Sequence, residues 1–284
     1  MNKIKLFIEL IRLNSPIGYM LLFWPCLWGL TIAYKVNLNF LEYLNFIIYF
    51  FLGSVLMRSA GCIVNDIVDK DFDRKVKRTK ERPIASEKIS IFESLIYVSI
   101  LCFLAFLILM QFNFLTIVLG IASMPFAFIY PFMKRFTYWP QLFLGITFNL
   151  GIIMGWTAIN NSISLEIIVV YFAAIFWTLG YDTIYGYQDI ADDEIIGLKS
   201  TSIKFKKGPK KFVTCCYVIS IFLLTLFGIL NENKLYFFIF LIFPTMHYLY
   251  QITKLNINNE NECLKIFKSN NFFGFLLFLN FLLI

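Results

Sequence analysis

Histidine is all but missing from this chain. His247 stands alone among 284 residues, inside an apolar and aromatic segment. That excludes histidine metal centres, haem ligation and Ser–His or Cys–His catalysis. The six cysteines (Cys26, Cys62, Cys102, Cys215, Cys216, Cys263) show neither zinc nor disulfide spacing, and most lie in apolar runs. They read as small buried residues. Charge is scarce as well, at 15% of residues, where a soluble domain carries about a quarter. Any chemistry here rests on carboxylates, Arg, Lys and Tyr. A secretory signal is not evident, because the first apolar run is long, carries Trp24 and Trp28 and lacks a small-residue cleavage site. An Arg-rich, acid-poor transit segment is missing too.

What is present is hydrophobic length: 59% of residues are hydrophobic and 19% aromatic, with a mean hydropathy of +0.73. Several runs approach the roughly 20 residues that cross a bilayer. The sequence therefore predicts one all-α, multi-pass membrane domain over 1–284, with about nine transmembrane helices. An amphipathic opening (1–13) leads to Asn14-Ser15-Pro16, a cap-and-proline start for the first span at 16–34. The others are expected at 40–63, 89–110, 114–132, 138–158, 165–187, 210–230, 235–252 and 271–284, with a polar loop at 253–270. With the N-terminus in the cytoplasm, all but Lys35, Arg58 and Lys234 of the 25 lysines and arginines fall on the cytoplasmic side. The positive-inside rule thus accounts for the net charge of +7, and nucleic acid is discarded as a partner.

Two acidic stretches interrupt this pattern, in the loops at about 66–88 and 188–209. The first reads Asn65-Asp66-x-x-Asp69-x-x-x-Asp73. On a helix these four fall within an arc of about 100°, and Asp71 points the other way. Arg58, inside a span, precedes them, and a dense basic segment follows. The second reads Asp182-x-x-Tyr185-x-x-x-Asp189-x-x-x-Asp193, with its three acids within about 40°. Like charges so spaced repel, and a bound cation removes the penalty. Two such stripes at the same membrane face suit Mg²⁺ bridging a diphosphate, with lysines and arginines neutralising the remainder.

With these motifs the chain resembles the UbiA-type intramembrane aromatic prenyltransferases, and within them the members that prenylate 4-hydroxybenzoate. The likeness covers about residues 10–205 and is carried by Arg12-Leu-Asn-Ser-Pro-Ile-Gly-Tyr-Met-Leu-Leu-Phe-Trp-Pro-Cys-Leu-Trp28, Gly61-Cys-Ile-Val-Asn-Asp66, Arg78-Thr79, Arg82-Pro83, Tyr181-Asp-Thr-Ile-Tyr185 and Asp192-Asp193-x-x-x-Gly197-x-Lys199-Ser200-Thr201. Ile190-Ala191 departs from it, standing where a more polar pair is expected. The last three spans add only hydrophobic length.

The resemblance implies Mg²⁺-dependent transfer of a polyprenyl group from polyprenyl diphosphate to the ring carbon ortho to the hydroxyl of 4-hydroxybenzoate, a step of ubiquinone biosynthesis. Asp69, Asp73, Asp189 and Asp193 are expected as metal–diphosphate ligands. Asn65 and Asp66 are expected to contribute to or orient that site, and Asp182 to orient or ligate through water. Asp71 and Asp192 are expected to face solvent. Arg78, Arg82, Lys134 and Lys199 are expected on the donor diphosphate, with Tyr130 and Tyr185 hydrogen-bonding a phosphate or the bridging oxygen. A lone cation within a span is costly, and the Arg58 guanidinium suits the acceptor's carboxylate. A sister enzyme with another aromatic or tetrapyrrole acceptor shares these features. A cation-coupled transporter also uses buried acids, but it calls for acids near mid-bilayer on broken helices. The want of a targeting segment leads to an expected bacterial inner membrane, in preference to a mitochondrial one.

Overall fold

The structure is a computed structural model that describes residues 3–34, 39–76, 78–232 and 234–284. Lys35, expected on the outer side, and Lys77, expected on the inner side, lie outside the described residues. All regular structure among the described residues is helical. In chain order the helices are α1 (Lys3–Leu10), α2 (Ile17–Ala33), α3 (Phe40–Val68), α4 (Lys70–Asp73), α5 (Ile91–Leu109), α6 (Phe114–Phe136), α7 (Pro140–Asn160), α8 (Leu165–Gly186), α9 (Ile190–Ile196), α10 (Thr201–Lys204), α11 (Pro209–Leu230), α12 (Leu235–Phe240), α13 (Ile242–Lys254) and α14 (Glu260–Phe281).

Seven of these are long and apolar enough to cross a membrane: α3, α5, α6, α7, α8, α11 and the run α12–α13. Two of the nine expected spans do not meet that measure. One is α2, which is apolar but has only 17 residues. The other is α14, which starts at Glu260 rather than at 271. The Asn259 side chain caps it by accepting from the Glu262 N–H at 3.2 Å, and Glu260 and Glu262 complement the helix dipole in the first turn. The expected polar loop is thus largely helix.

Helices α2 and α7 share the most extensive contact of any pair among the described residues, and glycine makes their close approach possible. A Cβ on Gly29 would lie 2.0 Å from the Ile152 carbonyl oxygen, and one on Gly155 would lie 2.2 Å from that of Cys26. Backbone cannot yield as a side chain does, so only glycine fits. Gly151-x-x-x-Gly155 is the small-residue spacing that lets membrane helices approach.

The last spans supply more than length. Asn270 on α14 accepts from the Trp177 indole of α8 at 2.8 Å and from the Gln251 amide of α13 at 3.1 Å. The Tyr217 hydroxyl of α11 donates to Gln251 at 2.6 Å. Nearby, the Trp28 indole of α2 donates to the Gly274 carbonyl at 2.9 Å. Polar side chains that would be costly in lipid are satisfied by one another, and this network joins the C-terminal helices to α8. A second, smaller apolar core ties α1 and the 84–89 loop to α3 and α5 through Leu10, Ile63, Ile84, Ile89 and Leu101.

Candidate active site

Both acidic motifs sit where a long helix ends at the same face of the bundle. Helix α3 stops at Val68 and Asp69 leaves helical geometry (φ −95°, ψ 5°) before α4 begins. The expected continuous helix is therefore kinked. Its spacing survives, because the Asp69 N–H still donates to the Asn65 carbonyl at 2.9 Å and the Asp73 N–H to the Asp69 carbonyl at 2.8 Å. The second motif repeats the device. Helix α8 ends at Gly186 and α9 starts after Asp189, while the Asp193 N–H donates to the Asp189 carbonyl at 2.8 Å. At the first break i, i+4 bonds span the interruption, whereas at the second the Gln188 N–H turns to the Tyr185 carbonyl at 3.1 Å and the i, i+4 spacing resumes from Asp189.

The two motifs meet at one polar cavity of about 550 Å³. Its wall includes Asn65, Asp69, Asp73, Asp182, Asp189 and Asp193, the cations Arg12, Arg58, Arg78, Arg82, Lys134 and Lys199, and Tyr130 and Tyr185. Asp71 and Asp192 are not part of it. Phe267 and Lys268 of α14 complete one side, within the segment expected to be a loop.

Within the cavity each motif acid but Asp193 and Asp182 faces a base. Lys134 pairs with Asp69 Oδ2, and Arg135 stands 3.9 Å from Oδ1. Arg82 bonds Asp73 at 2.8 Å. Arg78 grips Asp189 with both arms of its fork, Nε donating to Oδ1 at 2.7 Å and Nη2 to Oδ2. Asp66 is 2% exposed and stands behind the wall, where it accepts from Arg12 and, at 3.2 Å, from Arg82. It thereby aims two guanidinium groups at the cavity. Lys199 borders the cavity, but its ammonium is held by the Phe136 carbonyl at 3.3 Å and lies over the Tyr138 ring.

Arg12 is a cavity residue to which sequence reasoning gave no site role, although it heads the family-like stretch that runs to Trp28. Its backbone takes φ +53°, a conformation that costs an L-residue about 1–2 kcal/mol. Its ion pair with Asp66, 54 residues away, opposes that cost. The one local signal is its place just before Asn14-Ser15-Pro16.

Burial raises the pKa of the Asp69 carboxyl, with Lys134 opposing. Burial, helped by the charge of Asp189, raises that of Asp193 to about 6. Among the described residues no three acids already stand close enough to enclose a cation. The donor set nevertheless fits a hard divalent cation: the oxygens are carboxylates, and Asp69 Oδ1 is buried without a hydrogen-bond partner. Release of Asp189 from Arg78, of Asp69 from Lys134 and of Asp73 from Arg82 would free the remaining oxygens.

A second, apolar chamber of about 250 Å³ adjoins the first, between α3, α5, α6 and α7. Tyr49, Phe50, Phe106 and Phe112 line its far end, while Arg58, Asn65, Tyr130 and Phe148 border both spaces. At this junction the Arg58 guanidinium lies 5.9 Å from the Phe148 ring centroid and against Gly18, whose added Cβ would come 2.7 Å from Nε.

The UbiA prenyltransferase family matches residues 22–282. The mitochondrial 4-hydroxybenzoate polyprenyltransferase of Bos taurus is 40% identical over 278 residues, spanning 98% of this chain and 74% of that one. That of Caenorhabditis elegans is 39% identical, spanning 97% of this chain and 77% of that one. Among solved structures, the apo form of a UbiA homolog from Aeropyrum pernix K1 has a TM-score of 0.77 at 21% identity, covering 93% of this chain and 97% of that one. A UbiA homolog from Archaeoglobus fulgidus bound to GPP and Mg²⁺ has a TM-score of 0.71 at 15% identity, covering 96% and 99%. The expectation of a bacterial inner membrane is overturned, because these curated relatives are mitochondrial enzymes of animals. Hydropathy and charge bias report which end of a helix faces which side. They do not distinguish two membranes that obey the same rule.

Proposed function

Because the chain belongs to the UbiA prenyltransferase family, we propose that it transfers a polyprenyl group from polyprenyl diphosphate to 4-hydroxybenzoate, in a mitochondrial membrane, as a step of ubiquinone biosynthesis. The observation that carries this reading is the convergence of both aspartate motifs and their cations on one polar cavity that opens into an apolar chamber.

The donor's diphosphate occupies the polar cavity. Arg78, Arg82 and Lys134 turn from their aspartates to its oxygens, and Asp66 keeps Arg82 and Arg12 aimed. Asp69, Asp73, Asp189 and Asp193 would hold Mg²⁺, which when bound would supply further charge neutralisation for the leaving diphosphate. The prenyl chain lies in the apolar chamber, which places the allylic carbon at the junction beside Tyr130 and Asn65. Arg58 receives the acceptor's carboxylate there in bidentate fashion. This directs the phenol end of the ring toward the diphosphate.

Three changes make up the reaction. The allylic C–O bond breaks and its electron pair leaves on the diphosphate, stabilised by charges already in place. The ring carbon ortho to the hydroxyl supplies an electron pair to the allylic carbon, forming the C–C bond. That carbon's proton then leaves to a cavity base, and the ring regains aromaticity. Asp182, which borders the cavity and has no ion pair among the described residues, would receive the proton. Phe148 and the tyrosine rings offer their faces to the transient cation.

The test is diphosphate release by purified protein given geranyl diphosphate with or without 4-hydroxybenzoate, at zero and millimolar Mg²⁺. Release that requires both, and is lost in Asp69→Ala and Asp189→Ala, supports the reading. Release with other phenols but not 4-hydroxybenzoate discards the acceptor and keeps the chemistry.

A further inference from the structure

Away from the active cavity, at the same face of the bundle, lies an open surface depression of about 950 Å³ where α11 begins and α13 ends. Lys207, Lys210, Lys211 and Lys254 surround it, with Glu262 as its single acid. In the active cavity most cations are matched by aspartates. Here Lys207, Lys211 and Lys254 have no acidic partner among the described residues, and the Lys210 ammonium has only the Thr253 carbonyl at 3.4 Å. The neighbouring Lys206 is paired with Glu194 at 2.7 Å and takes no part. Topology alone places lysines on this side of the membrane, but it does not gather unpaired ones around one space.

The surface that continues from these lysines is apolar. On α11 the positions Lys211, Cys215, Val218 and Phe222 follow one another at helical spacing, with Val218 61% and Phe222 64% exposed. On α13 the corresponding run is Lys254, Tyr250, Met246 and Phe243, again with exposed side chains. The two helices lie side by side, their Tyr217 and Tyr248 rings stacked with centroids 4.0 Å apart. Each stripe therefore starts at a lysine of the cavity and runs into the depth of the bilayer. A cationic cup above two apolar tracks matches a phospholipid in both charge and shape. A free phosphate would use only the cup.

We propose that this cavity seats the phosphate headgroup of an anionic phospholipid, whose acyl chains lie along the exposed stripes of α11 and α13. The site is separate from the prenyl-transfer reading and stands or falls without it.

The full chain is reconstituted into nanodiscs of phosphatidylcholine containing about a fifth phosphatidylglycerol, and the lipid that stays bound on release into detergent is counted by native mass spectrometry. Each lysine near a membrane surface contributes about a factor of five to anionic lipid binding. Replacing Lys207, Lys211 and Lys254 together by Gln should thus weaken retention of phosphatidylglycerol by about a hundredfold. The Lys→Arg triple should retain it. Replacing Lys75, Lys80 and Lys88 by Gln removes the same charge elsewhere and should leave retention unchanged. Equal retention by the Lys207/Lys211/Lys254 Gln triple and the unaltered protein overturns the proposal. So does inorganic phosphate that displaces phosphatidylglycerol at concentrations comparable to the lipid's own, because the apolar tracks would then contribute nothing.

Discussion

Arg78 and Asp189 offer a test of which partner the second motif is built for. In the structure Arg78 holds both carboxylate oxygens of Asp189, with the arginine side chain 46% exposed and the aspartate 19%. If Asp189 is a metal ligand, this grip must be released before a cation binds, so Arg78 competes with the metal until the donor diphosphate draws the guanidinium away. Arg78→Met keeps a stem of similar length and deletes the fork. A bidentate, charge-assisted pair is worth about 1.5–3 kcal/mol in a sheltered setting. Water reaches nearly half of the arginine, which reduces this to about 1–2 kcal/mol. Binding of Mn²⁺ to the donor-free variant, followed by isothermal titration, should accordingly tighten by about 5- to 30-fold. Turnover should move the other way, because a cation that stabilises the leaving group is lost. A fall of about 10²–10³ in kcat/KM for the donor is expected by analogy with removal of one preorganised donor. The opposed signs are the signature. If metal binding weakens or stays the same in Arg78→Met while the fold is intact, Asp189 serves Arg78 as a structural partner, and the assignment of the second motif to metal is refuted.

Three further outcomes follow from the geometry. Gly18→Ala puts a methyl 2.7 Å from Arg58 Nε and displaces that flexible head, so KM for 4-hydroxybenzoate should rise about tenfold while KM for the donor stays put. The difference should vanish with the uncharged amide of the acceptor, and an equal rise for both acceptors would remove Arg58 from carboxylate recognition. Asp193 is held at about 6 by burial and by Asp189, a raised value, so the folded metal-free protein keeps this proton better than the unfolded chain does. Stability of the metal-free form should fall as pH rises from about 4 to 6. Added Mg²⁺ should raise Tm at pH 7.5 and do less at pH 5, where Asp193 is protonated. A Mg²⁺ shift that is independent of pH would take Asp193 out of the ligand set. Asn270→Leu strips Trp177 and Gln251 of their shared partner, and thermal unfolding in detergent should show a loss of about 1–2 kcal/mol. No loss would mean that water or lipid replaces those bonds.

What the sequence by itself determined is what neighbouring residues encode. Apolar length marked the long helices, because crossing a bilayer is a property of about twenty consecutive residues. The recurrence of Asn65, Asp69 and Asp73, and of Asp189 and Asp193, was readable because helical spacing carries it: i, i+4 bonds persist through the kink at Asp69 and resume from Asp189 to Asp193. Polar side chains on an apolar helix misled the reading at Asn270, and so the start of α14 was placed too late. Only the tertiary structure decided which opposite charges meet. Asp66 aims Arg12 from 54 residues away, Lys134 reaches Asp69 across 65, and Arg78 reaches Asp189 across 111. Only there does Asn270 find Trp177, 93 residues apart. Such pairs leave no local periodicity. They arise only when the helices pack, as where Gly29 lets α2 approach the α7 backbone at Ile152.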